Sequence, residues 1–204
     1  MFGCIKKFFM LIIIIFAVIG FVAIGGVTFF NEFFHNPWAQ PQIHKMKKAA
    51  EIADFTNLDE EFEIVSSSKI PKIGNYVYIK HGATSQRFYF SKPTNPETLT
   101  KKDFSTKECD VKIVKFVQDF KLLQLENFEI SGRGSMYALG QTIPYIKFKS
   151  DVVNLPIKGI QGIVGVASHG NDNIIIVSSN ASGKYSQIVT DALMKQLKVS
   201  KDSK

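Results

Sequence analysis

The dominant feature of the apolar pattern is Phe8–Phe30 (FFMLIIIIFAVIGFVAIGGVTFF), 23 residues without a charge. As a helix rising 1.5 Å per residue it spans roughly 34 Å, enough to cross a hydrocarbon core of about 30 Å. The pattern then changes. Across Gln42–Ala53, Ile43, Met46, Ala50 and Ala53 recur at helical spacing among Lys45, Lys47 and Lys48, and Pro37 and Pro41 fit the start of this amphipathic helix. From Glu60 the period falls to two, with Phe62 and Ile64 alternating with Glu61 and Glu63. Asn75–His81 and Arg87–Ser91 are aromatic and β-branched around a loop containing Gly82, which predicts a hairpin. Thr94-Asn95-Pro96-Glu97 has the form of a capping box with proline in the first turn, opening a short helix toward Asp103.

Within residues 108–123, Ile113, Phe116, Val117 and Phe120 fall at i, i+3, i+4 and i+7 opposite Glu108, Lys112, Lys115 and Asp119. The spacing predicts a helix, although the β-branched content would also suit a strand. Strands are predicted over Glu126–Ile130, Gln141–Val152, Pro156–Ala167 and Asn173–Ser178, with turn signals at Gly132–Ser135, Asn154–Pro156 and His169–Asp172. The unbroken apolar run Ile174–Val177 calls for a central strand covered on both faces. Ser182 is expected to cap a final helix whose stripe is Tyr185, Ile188, Val189, Ala192, Leu193 and Leu197. The fold class is therefore α+β: an N-terminal transmembrane helix, then one domain with a mostly antiparallel sheet of about five to seven strands and helices on one face.

Residues 1–7 become a short cytoplasmic tail, 8–30 the anchor, 31–54 a juxtamembrane linker with the amphipathic helix, and 55–204 the α+β domain. Lys6 and Lys7 also suit a signal-peptide n-region, but the apolar run far exceeds an h-region of about 7–15 residues and no clean cleavage site follows it. The same two lysines precede a lysine-free stretch reaching His44, so positive-inside places the N-terminus in the cytoplasm and the domain outside the cell membrane. A tail of seven residues is too short for an effector domain, so the span tethers the domain. Ala17, Gly20, Ala23 and Gly26 recur every third residue, weak support for self-association through the span.

The chain has 204 residues and a net charge of +7; Lys6 and Lys7 account for two of those charges, leaving +5 beyond the span. Only Arg87 and Arg133 among its 25 basic residues are arginine, which argues against nucleic acid as a partner, since base and phosphate recognition leans on arginine's planar fork. Lysine surplus suits an anionic membrane or envelope polymer. Two cysteines, Cys4 and Cys109, exclude a disulfide scaffold and multi-cysteine metal clusters. His35, His44, His81 and His169 are scattered without ligand spacing and read as surface or loop residues, so no metal site is expected. Gly132-Arg133-Gly134, the Gly159/Gly162/Gly165 series and Ser182–Tyr185 each miss the spacing of a phosphate cradle, so no cofactor is expected. The glycine series instead suggests bulges or close backbone approach.

No catalytic residue set emerges from spacing. One modest site candidate is Ser182, Gly183 and Lys184, where free amides at a helix start beside a lysine would take an anion. The leading functional reading is a membrane-tethered, non-enzymatic binding or assembly domain, partnered by lipid and by another membrane or envelope protein. The alternative is a tethered hydrolase or thiol enzyme using Cys109 with His81 or His169. In layout, an N-terminal apolar helix followed by an antiparallel sheet, the chain resembles a type IV pilin, which makes a pilin-like subunit a further alternative. That family's processing glycine precedes a Phe/Met-type residue with Glu four residues further on. Here Gly3 precedes Cys4, the corresponding position is Phe8, and the two lysines follow the glycine.

Overall fold

The computed structural model describes residues 42–70, 74–119, 125–152 and 159–199. The tail, the anchor at 8–30, the linker as far as residue 41, Cys4 and His35 lie outside the described residues, and no helix among the described residues is long and apolar enough to cross a membrane. The elements are α1 (Gln42–Ala49), β1 (Phe62–Ile70), β2 (Gly74–His81), β3 (Arg87–Pro93), 3-10 turns at Pro96–Thr98, Lys101–Phe104 and Lys107–Cys109, α2 (Asp110–Asp119), β4 (Leu125–Ala138), β5 (Gln141–Val152), β6 (Ile160–His169), β7 (Asp172–Ala181) and α3 (Gln187–Gln196).

All seven strands join one antiparallel sheet in the order β1-β2-β3-β7-β6-β5-β4. The chain lays down β1 to β3, crosses through the 3-10 turns and α2 to the far edge, and returns strand by strand until β7 pairs with β3. The run Ile174–Val177 thus lies in the central strand. Its alternation serves two cores. Ile174 and Ile176 join Val77, Phe88, Phe90, Ile163 and Leu193 on one face, while Ile175 joins Ile146, Phe148, Val164 and Val166 on the other.

Helices on one face, the sequence expectation, is therefore corrected. Residues 49–53, at and beyond the end of α1, and α3 supply Ala49, Ile52, Ala53, Leu193 and Met194 to the first core. The 3-10 turns and α2 supply Leu99, Phe104 and Ile113 to the second. A strand apolar at consecutive positions exposes hydrophobic surface on both sides, and the crossover to β4 is what covers the second side.

Several boundaries shift. The first helix stops at Ala49, and Lys45, expected on a solvated face, is only 7% exposed, with its carbonyl accepting a 2.7 Å bond from the Ser67 hydroxyl. Long lysine stems pack readily along apolar surface. The helix expected toward Asp103 forms as two 3-10 turns, the first capped by Asn95 accepting from the Glu97 amide at 3.0 Å. The 108–123 segment is helical over Asp110–Asp119 as its spacing predicts.

Candidate functional site: the free edge of β4 and the cleft beside α3

Residues 132–135 are not a turn. β4 runs through them to Ala138, and the reversal comes at Leu139-Gly140, with φ of +53° and +75°. Two central residues at positive φ make the tight hairpin turn that matches strand twist. Gly134 is in the strand for packing: a Cβ there would lie 2.7 Å from the Tyr145 ring and hydroxyl.

The register settles where the β4 backbone points. Ala138 and Gln141 close a two-residue loop, so they form a hydrogen-bonded pair and alternation makes Tyr137–Thr142, Ser135–Pro144 and Arg133–Ile146 non-bonded pairs. Pro144, which has no N–H, fits that assignment. Arg133, Ser135 and Tyr137 therefore aim their N–H and C=O groups away from β5. β4 ends the sheet, and among the described residues no backbone hydrogen bond reaches these groups from another element. The other edge, β1, is interrupted by a bulge between Ile64 and Ser66 and carries Lys69. On β4 the bulges fall before Gly132, leaving Arg133–Ala138 regular and without lysine or proline.

Helix α3 packs beside this edge. Its N-cap is Ser186, whose hydroxyl accepts from the Val189 amide at 3.3 Å, and it buries Thr190, Leu193 and Met194. Gln187, Asp191 and Lys195, one stripe at i, i+4 and i+8, line a cleft of about 220 Å³ with Ser135, Tyr137 and Tyr145. That volume is below the several hundred Å³ of a cofactor site and suits one or two side chains of a partner. Ile188 adjoins the stripe at 80% exposure and Tyr137 is 59% exposed; with Val111 these are the large exposed hydrophobic residues among those described. On the opposite face, Arg133 donates to Asp110 and, at 3.0 Å, to the Phe104 carbonyl.

A buried polar knot fixes α3. The Gln86 amide, fully buried, donates to the Ser178 hydroxyl (3.0 Å), the Thr190 hydroxyl (2.9 Å) and the Ser186 carbonyl (3.0 Å), and accepts from the Ser186 amide at 2.9 Å. Thr190 and Ser178 are 2.9 Å apart, and Thr190 reaches the Tyr185 hydroxyl at 3.1 Å. Burial pushes the Tyr185 phenol up to about 12, against the opposing hydrogen bonds from Thr190 and Ser178. A second tyrosine cluster stands on β2 and β3, where Tyr78 and Tyr89 stack at 4.8 Å; burial raises both, Tyr89 to about 12.

The residues singled out by sequence fall elsewhere. Ser182, Gly183 and Lys184 occupy a turn ahead of α3, not its cap, and the Ser182 and Lys184 amides already donate to the Gly159 and Ala181 carbonyls. His81 is buried, not a surface residue. Its Nδ1 faces the Thr84 hydroxyl at 2.9 Å and its Nε2 faces Glu61 at 3.1 Å, because the end of β2 folds against the Glu61 segment. Register puts His81 and His169 at opposite ends of the sheet, since Arg87, beside His81, meets Ser179 while His169 meets Asp172. Cys109 takes a 3.5 Å contact from the Thr106 hydroxyl. Among the described residues no three His, Cys, Asp or Glu side chains gather as a metal site. The glycine series marks close approach, as expected: a Cβ on Gly162 would stand 2.0 Å from the Ser178 carbonyl. Sequence reading missed the β4 edge because glycines at 132 and 134 imitate a turn; Pro144 inside a strand pattern was the available signal for the orientation of that hairpin.

No protein-family model matches the chain, and no curated protein does. Among solved structures it is similar to cyanobacterial PsbP (CyanoP) from Synechocystis sp. PCC 6803, at 12% identity and a TM-score of 0.47, over 70% of this chain and 84% of that one. It is also similar to PA94, a protein of unknown function from Pseudomonas aeruginosa, at 11% identity and a TM-score of 0.31, over 64% of this chain and 76% of that one.

Proposed function

We propose that this chain is a membrane-tethered binding or assembly module, without a reaction of its own, whose α+β domain engages a protein partner outside the cell membrane. The observation that carries the reading is the regular, uncharged strand edge after Arg133 beside a cleft sized for side chains, with Tyr137 and Ile188 exposed at its border. Proteins ordinarily blunt such an edge, and one left open is a template for another strand. The apolar run Phe8–Phe30 supplies the tether, and Lys6-Lys7 supplies its N-in, C-out orientation. Tethering concentrates the edge near partners in the same membrane.

Two measurements test this. Extraction in a mild detergent should recover the chain in a complex, and Tyr137→Lys should release it; a solitary chain across several detergents counts against assembly. An impermeant protease should cleave the chain beyond the span from outside intact cells. Protection until the membrane is breached would invert the orientation.

A further inference from the structure

We propose that the partner at this edge is a second copy of the same chain, joined β4 to β4 across a two-fold axis at Ser135. This rests on the assembly reading above and names its occupant. The outward backbone groups belong to Arg133, Ser135 and Tyr137, so a hydrogen-bonded antiparallel pairing of two such edges must set odd positions against odd positions. Centring the axis on Ser135 satisfies all of them: Ser135 meets itself, and Arg133 meets the partner's Tyr137. Shifting the centre to either neighbour strands part of the set.

The side chains agree with that register. Arg133, Ser135 and Tyr137 alternate with Met136 and Ala138, which are committed to the first core, so they share the opposite face. A two-fold axis normal to the sheet keeps that face common to both copies. The exposed Tyr137 ring then lies across from the partner's guanidinium, which Asp110 holds in place, a favourable cation–π neighbour pair. On the other face the two α3 helices come alongside in antiparallel directions. Their stripes carry Asp191 followed by Lys195, an order that reversal makes complementary, acid toward base in both directions. Ile188, on the same side of α3, would lose its exposure there.

The test uses the full chain with Cys4 and Cys109 replaced by serine, in mild detergent and in membranes. Ser135→Cys should form a disulfide dimer under mild oxidation, because residues directly opposed across an antiparallel pair stand at a separation a disulfide can span. Thr142→Cys, exposed one strand further in, should not. By sedimentation, the unlabelled chain should be dimeric, and Ser135→Pro and Tyr137→Lys should each weaken the dimer roughly tenfold or more. The Ser135 N–H points outward, so proline there removes no bond to β5, and Tyr137→Lys provides an independent variant at an exposed position. A chain that stays monomeric, a Ser135→Cys variant no more reactive than Thr142→Cys, or a dimer indifferent to both other substitutions overturns the proposal. A monomer that still captures a different protein through Tyr137 would overturn it too, while leaving the assembly reading standing.

Discussion

Replacing Gln86 tests whether the buried polar knot is what holds α3 beside β4. Gln86→Leu keeps the volume and removes one donor group and one acceptor. The Ser178 and Thr190 hydroxyls keep each other at 2.9 Å, and Thr190 keeps the Ser186 carbonyl at 3.2 Å. The Ser186 amide loses its 2.9 Å acceptor and has no replacement in the knot. One stranded donor costs about 1–3 kcal/mol and the net loss of the remaining bonds about 1 kcal/mol more, so Gln86→Leu should destabilise by about 2–4 kcal/mol. Gln86→Glu should keep the Ser186 amide but set a carboxylate oxygen against the Ser186 carbonyl, now 3.0 Å from the Gln86 nitrogen. Its loss should therefore be larger at pH 7 than at pH 5, where protonation restores a donor. The assay is urea unfolding of the compact unit Pro41–Lys204 followed by far-ultraviolet circular dichroism, with amide exchange across α3 as the local readout. A Gln86→Leu cost below about 0.5 kcal/mol, the range of an ordinary surface change, would refute the reasoning, as would a pH-independent Gln86→Glu.

Gly162→Ala should cost about 3 kcal/mol or more in the same unfolding assay, because its Cβ would meet the Ser178 carbonyl at 2.0 Å, strand backbone that cannot yield. Asp103 is raised by burial but held below its ordinary 3.8 overall by hydrogen bonds from Lys112 and Thr100. Its stabilising contribution is thus present above pH 3.8 and lost as pH falls through the lower folded value; Asp103→Asn should cost about 1–2 kcal/mol at pH 7 and far less in acid, read by melts across pH 2–7. Tyr89 and Tyr185, both raised to about 12 by burial, bind their protons more tightly folded than unfolded. Stability should hold below pH 10 and fall between pH 10 and 12 by up to about 1.4 kcal/mol per pH unit for each, visible as late tyrosinate absorbance that Tyr89→Phe and Tyr185→Phe each remove; ionisation of these two phenols themselves at pH 10 in the folded chain would contradict it.

Elements whose local pattern and tertiary role coincide were legible in the sequence. The β2–β3 hairpin follows its aromatic alternation, β7 is central as its unbroken apolar run requires, and the α2 spacing overrides its β-branched content because Ile113 must face the second core. What stayed hidden depends on long-range contact. Gly134 looks like a turn residue until Tyr145 is known to lie over it, and Ser182 looks like a helix cap until its amide is known to bond Gly159. One-sided layering failed for a similar reason, since the crossover between β3 and β4 carries only short helical turns and one helix, yet covers a whole core. The candidate site shared this fate. An open edge is a property of sheet order, and strand order is not written in any one segment.

Amide exchange along β4 tests the central claim most directly, because the claim concerns three backbone N–H groups. In the chain dissociated to a monomer by a harsher detergent at high dilution, the amides of Arg133, Ser135 and Tyr137 should exchange rapidly while Gly134 and Met136, bonded to β5, stay protected. In the membrane, with the partner strand in place, all five should be protected and the alternation should vanish. Alternation that persists unchanged in the membrane would contradict the account, for it would mean that nothing pairs with this edge where the protein works.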